Sequence, residues 1–345
     1  VTPNELLEWE RSNQTDFGLD FGFFGNSLQF TADYFFKRTD GMLIEMPVPT
    51  YLGESKPWGN VGSMSNTGVE LDLSYRYSIG DFNFSVGANA TYIKTLLINA
   101  GNESGILDRG SVHQMGTIIR GENGQPFPYF FGYKTDGVFQ NWGEVYAYTN
   151  AEGKLVQPDA QPGDFRYQDI NGDGSITAEG DRANLGKCVP SWTYGINASI
   201  DWKGIDFSMV WQGVAGNKIF DATRRTDIPT MNQPKYVLNR WTGEGSTNDY
   251  PRFTVTDPNQ NWSKASDFFI KDASYFRLKN VTLGYTLPVN WTNKIFVKKF
   301  RVYVACENAL TFTKYDGFDP EIADYVDRGI YPQARTVQFG ANITF

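Results

Sequence analysis

The chain has 345 residues, with 39 acidic against 31 basic side chains, a formal net charge of −8 and a mean hydropathy of −0.42. No Lys/Arg cluster is large enough to track a phosphate backbone, which excludes nucleic acid as a partner, and no apolar run approaches the roughly 20 residues of a membrane helix. Aromatics make up 16% of the chain beside 35 Gly and 16 Pro, a mixture of many strands and many turns with few helices, so any membrane is met by strands.

The opening residues, VTPNELLEWERSNQTDF, have neither the basic start nor the apolar core of a signal peptide. Either an export signal has been removed with upstream sequence, or this is the later part of a longer chain. From Asp16, DFGLDFGFF puts Phe17, Leu19, Phe21 and Phe23 on one face, and after the tight turn GNS, LQFTADYFF does the same with Leu28, Phe30, Ala32, Tyr34 and Phe36. GVELDLSYRY sets Val69, Leu71, Leu73, Tyr75 and Tyr77 against Glu70, Asp72, Ser74 and Arg76. After the turn IGD, Phe82, Phe84, Val86, Ala88, Ala90 and Tyr92 alternate. One face of each strand is wet and the other fully apolar.

Later, SWTYGINASIDW aligns Trp192, Tyr194, Ile196, Ala198, Ile200 and Trp202, and IDFSMVWQ aligns Ile205, Phe207, Met209 and Trp211. YFRLKNVTLGYTL and FRVYVACENALTF follow. The closing VQFGANITF alternates Val337, Phe339, Ala341, Ile343 and Phe345 up to the last residue. Two weaker segments, around His113 to Arg120 and Phe127 to Thr135, bring the count to about eleven antiparallel strands of the length a tilted membrane strand requires.

The joins alternate in length. GNS, IGD, GENGQP and KG are short, whereas Asp40 to Asn60, Leu96 to Ser111, Asp136 to Pro190 and Val214 to Asp267 are long; Pro288 to Lys299 is moderate and Lys314 to Arg335 longer. Short turns on one rim and long loops on the other are the signature of an outer-membrane barrel, with the short turns periplasmic and Phe345 ending at that rim. The alternative is a soluble β-sandwich, an adhesin or carbohydrate-binding protein stiffened by calcium. It gives no reason for Tyr75, Tyr77, Tyr92, Trp202 and Tyr285 to collect at strand ends, which an interfacial aromatic girdle does.

DINGDGSITAEGD places Asp169, Asn171 and Asp173 at the first, third and fifth positions of an EF-hand-like loop, with Gly174 sixth and Ser175 seventh. The twelfth position is Gly180, so Glu179 or Asp181 must supply the closing carboxylate. The expectation is a structural Ca²⁺ that stiffens the loop, set against an Asx-rich turn closed without metal. Cys188 and Cys306 lie far apart with no metal-ligand spacing; a single bridge between them stays open. No enzyme is indicated, because His113 is the only histidine and no nucleophile motif surrounds it; on its expected strand it reads as a lumen or rim residue. Among Asn, Asp and Arg in the long loops stand Trp142, Tyr146, Tyr148, Trp241, Tyr250 and Trp262. As a set they suit stacking on sugar rings or gripping an extended peptide, against a simpler role in loop packing.

Several longer segments then occur in order: NVGSMSNTGVELDLSY, YKTDGVFQNWGEV, PGDFRYQDINGDGSITAEGDRANLG, KDASYFRLKNVTLGYTLP, ENALTFTKYDGFDPEI and IYPQARTVQFGANITF. Over essentially its whole length the chain resembles the C-terminal part of a SusC/RagA-type TonB-dependent transporter of a Bacteroidetes-like bacterium. The resemblance implies an all-β fold, the C-terminal half of a 22-stranded transmembrane barrel with long extracellular loops, across residues 1–345. It also implies that the plug domain, TonB box and first barrel half lie outside this chain. Further implications are active import of oligosaccharides or oligopeptides across the outer membrane, a SusD-like surface lipoprotein as lid, TonB as the energy-coupling partner, and Phe345 as the aromatic read by the barrel-insertion machinery.

Overall fold

The computed structural model describes residues 4, 7–45, 57–113, 115–225 and 230–345. Nine strands form one continuous sheet: β1 Arg11–Phe23, β2 Leu28–Glu45, β3 Trp58–Ile79, β4 Phe82–Asn99, β5 Trp192–Trp202, β6 Ile205–Ala215, β7 Tyr275–Thr286, β8 Lys299–Thr313 and β9 Thr336–Thr344. Each pairs antiparallel with its neighbours in chain order, an up-and-down meander that curves as a barrel wall.

Directly paired residues point to the same side of a sheet, so register shows which side chains share a face. One row runs Phe17, Tyr34, Val69, Tyr92, Trp192 across β1 to β5. Another runs Phe84, Ile200, Phe207, Leu283, Val304, Phe339 across β4 to β9. Nothing among the described residues covers this face: Phe17 is 68% exposed and Phe339 83%. A sandwich would lay a second sheet over it.

The other face is polar. Asp33 pairs with Glu70 and Asp72 with Asn89, and the hydroxyls of Ser85 and Ser199 share a hydrogen bond of 2.8 Å. Arg301 reaches over β7 to Asp206, with Arg301 Nε donating to Asp206 Oδ1 at 2.8 Å. Gly284 makes room for that ion pair, since a Cβ there would lie 2.5 Å from both partners.

Trp192 and Trp202 stand ten residues apart on the apolar face. At about 3.3 Å per residue and a tilt near 40°, they are separated by roughly 25 Å along the membrane normal, the height of the apolar band of an outer-membrane barrel.

Among the described residues the wall holds nine strands, not about eleven. Of the two weaker segments, Thr117–Glu122 is too short to cross a membrane, and Tyr129–Tyr133 is buried on both faces. They join Arg182–Lys187 and Ile106–Ser111 in a separate four-stranded sheet between β4 and β5. Because the miscount is a pair, strand directions are unchanged: β9 descends and Phe345 follows it on the rim of the short turns. His113 is off the wall too, its ring Nε2 3.2 Å from the Ala222 carbonyl. The join expected over Asp40 to Asn60 is partly strand, with Leu43 paired to Asn60 and Glu45 to Trp58; its residues 46–56 lie outside those described.

The hydrophobic core is in the long joins, not in the wall. Val112, Phe130, Cys188, Phe220, Trp262, Phe269 and Val326 form its largest cluster, drawn from three different joins. Cys188 and Cys306 are both free thiols. The wall assignment predicts that, in the complete barrel, Leu71→Arg on the apolar face destabilises by ~2–4 kcal/mol in lipid vesicles. Asp72→Asn, one residue away on the polar face, should change little; equilibrium unfolding that ranks the two the other way would invert the faces.

Candidate functional site

Three long joins, between β4 and β5, β6 and β7, and β8 and β9, pack into one domain on the rim opposite the short turns. Besides the four-stranded sheet it contains a three-stranded sheet, with Lys218–Asp221 between Ile270–Asp272 and Val326–Asp327, and the pair Thr135–Val138 with Phe165–Tyr167.

The loop aromatics divide by placement. Trp262 is 3% exposed, its indole donates to the Arg252 carbonyl at 3.1 Å, and the Arg224 guanidinium lies 4.3 Å over its ring. It has no face open to a ligand. Trp241 packs on the cluster of Tyr133, Val138, Phe165 and Tyr167 and donates to Gln140 Oε1 at 3.2 Å. Tyr148 packs beside Phe139 and donates to the Tyr167 carbonyl at 2.7 Å, while Tyr250 sits edge-on against Phe268. Trp142 and Tyr146 differ. One turn apart on the helix Trp142–Ala147, they stack at 5.5 Å and remain 49% and 62% exposed. Asn141 caps this helix by accepting from the Glu144 amide, which fixes the direction in which the pair projects.

The acidic loop closes on itself through its carboxylates. Asp169 accepts from the amides of Gly172 and Gly174 at 2.7 and 2.8 Å; the fully buried Asp181 accepts from Ile170 and Thr177 at 2.8 and 2.7 Å. Hydrogen bonds from the Asn171 amide and from Ser175 hold Asp173 below the usual carboxylate range. Carboxylate oxygens of Asp169, Asp173 and Asp181 lie within 4.8 Å of one another. The closing carboxylate of the cluster is therefore Asp181, one position beyond the EF-hand's twelfth, and Glu179 is not part of it. An all-oxygen donor set of this spacing fits a hard cation such as Ca²⁺.

The domain is fastened to the wall by buried charge, which the sequence reading missed. Arg277 on β7 is 3% exposed and donates from Nη2 to Asp319 at 2.6 Å, from Nη1 to Glu321 at 2.8 Å and from Nε to Thr311 at 2.9 Å. Lys279 adds a 2.6 Å bond to Glu321. Burial opposes ionisation of Asp319, but the bonds from Arg277 and from the amides of Glu321 and Gln333 outweigh it and hold its carboxyl below the usual range.

Strict alternation with Val281, Leu283 and Tyr285 would put Arg277 on the lipid face. A register shift between Leu278 and Asn280 instead turns it to the polar side and leaves Phe276 stacked on Trp211 at 4.7 Å. A basic residue breaking an apolar stripe, with the acid-bearing DPE segment in the next long loop, is the signal that could have found this pair.

A one-sheet wall with an apolar outer face, a polar inner face and loops packed on one rim defines an outer-membrane β-barrel. Residues 1–309 match the family model described as TonB dependent receptor-like, beta-barrel. The chain belongs to this family and is of the SusC/RagA type, proteins of the Gram-negative outer membrane. It is 31% identical to TonB-dependent receptor P3 of Formosa agariphila over 99% of this chain and 35% of that one, and 25% identical to SusC of Bacteroides thetaiotaomicron over 99% and 32%. The solved RagAB peptide transporter superposes with a TM-score of 0.79 at 26% identity, covering 100% of this chain and 36% of that one. The chain thus spans about a third of the length of the relatives it matches.

The anchor predicts that Arg277→Ala, by leaving Asp319 buried and unpaired, destabilises loop docking by ~3–5 kcal/mol. Limited proteolysis of the complete protein should then cut within residues 314–335 while the wall stays intact. Unchanged resistance would mean that the ion pairs do not fasten the loop.

Proposed function

We propose that this chain forms the C-terminal part of the barrel of a TonB-dependent importer that brings oligosaccharides or oligopeptides across the outer membrane. The observation that carries the reading is the two-faced wall with its docked loop domain, in a family of TonB-dependent receptors. The wall separates lipid from a polar passage and the loops stand where cargo arrives. Catalysis has no part in the reading.

Among the described residues, β1 and β9 are each paired on one side only. Unpaired backbone groups in hydrocarbon cost several kcal/mol each, so further strands close the barrel. The remaining strands, a plug and the TonB-binding segment belong to the rest of the protein, in keeping with relatives about three times as long. SusC and RagAB as relatives support a SusD-like lipoprotein over the loop rim, a lid to which Trp142 and Tyr146 are open. Phe345, exposed beyond β9, serves barrel insertion.

Import of this kind is driven from the inner membrane. Cells making the complete protein should accumulate labelled cargo in the periplasm only while TonB and the proton gradient are intact. Accumulation that persists after either is removed would make the barrel a passive pore.

Calcium in the acidic loop belongs to the same proposal, as a clamp that stiffens the join between β4 and β5. At a hundredfold excess over its dissociation constant the ion adds about 2.7 kcal/mol to the loop's stability. Chelation, or Asp173→Asn at the exposed ligand, should open residues 150–190 to protease. Equal resistance with and without chelator would leave the loop closed by its Asx turns alone.

A further inference from the structure

Two joins, between β6 and β7 and between β8 and β9, meet in an open pocket of about 590 Å³, within the usual range for small-ligand sites. One wall carries Asp221, Lys235 and Tyr236 from the join between β6 and β7. The other carries Asp316, Phe318 and Arg328 from the join between β8 and β9. The three-stranded sheet ties the walls together, with Phe220 paired to Val326 and Asp221 to Asp327, and the Tyr315 hydroxyl donates to Asp327 beneath it.

We infer that this pocket is a cargo subsite for oligopeptides bearing charges of both signs, an inference that rests on the import reading. Each wall presents one acid and one base. Lys235 and Asp316 make no hydrogen bond or ion pair among the described residues, so neither charge is used internally. Arg328 is held by Asp324 and stays half exposed. Phe318 is 67% exposed between the charges, and Tyr236 lines the same space.

A neutral sugar would cover the Phe318 ring and hydrogen-bond Lys235 and Asp316 without neutralising either charge. A peptide meets them with its amino and carboxyl groups or charged side chains. Charge-assisted bonds of this kind are the strong ones and fix both direction and register.

The test uses the complete transporter, purified from outer membranes in detergent with the partners that accompany it. It is offered a tryptic casein digest and, separately, maltoheptaose, with retained molecules identified by mass spectrometry. Mixed-charge peptides should be retained, and the pair Lys235→Gln with Asp316→Asn should weaken them about tenfold or more while the protease pattern of the loops stays as in the parent. Peptides held equally by parent and variant would overturn the subsite, as would retention of maltoheptaose alone. In both cases TonB-dependent uptake by cells would continue, whereas loss of the import reading itself would show as cargo accumulation independent of TonB.

Discussion

Everything in this molecule follows from one requirement: within hydrocarbon, each backbone N–H and C=O must find its partner inside the protein. An antiparallel meander meets it with the shortest joins, and nine consecutive strands here do so without a crossover. Once the ladder is fixed, the period of two assigns every side chain to lipid or lumen. Phe17 and Phe339 can then be largely uncovered in a stable protein, because their solvent is not water. The usual link between apolar and buried is broken in the wall and restored only above it.

That inversion explains where the core lies. The wall has no interior, so the well-packed apolar clusters gather around Phe130, Phe220, Trp262 and Phe269 in the joins. Loops of such length need a core of their own to stay ordered, and a connection to the wall to stay placed. Arg277 supplies the second. A buried guanidinium shared between two carboxylates is costly to desolvate and gains little net stability over an apolar contact. Its directional bonds, however, specify one docked position of the loop over the wall.

The wall was legible in the sequence because its code is local. Alternation in GVELDLSYRY or IDFSMVWQ needs no knowledge of distant residues, and loop parity survived a miscount because Thr117–Glu122 and Tyr129–Tyr133 left the wall together. YFFGY itself carries a warning, being apolar at consecutive positions as in a strand covered on both faces. The loop domain was not legible in this way. Trp262 and Trp142 look alike in sequence, each an aromatic among polar neighbours, yet one is enclosed by Phe268 and Arg224 and the other is open. Only long-range contacts separate them. The acidic loop lies between these cases: its spacing named Asp169, Asn171 and Asp173, but the choice of Asp181 over Glu179 required the turn at Thr177.

The register shift in β7 joins the two halves of this argument. By displacing one residue, it lets Phe276 continue the apolar face against Trp211 while Arg277 turns inward to the loop. An unbroken strand would have to place that cation in lipid or give up the aromatic contact. The irregularity is thus the point where the demands of the membrane-facing wall and of the loop domain are met in a single stretch of chain. It lies at the end of β7 from which the long joins rise, so the loop domain is held in place by the strand that faces the bilayer.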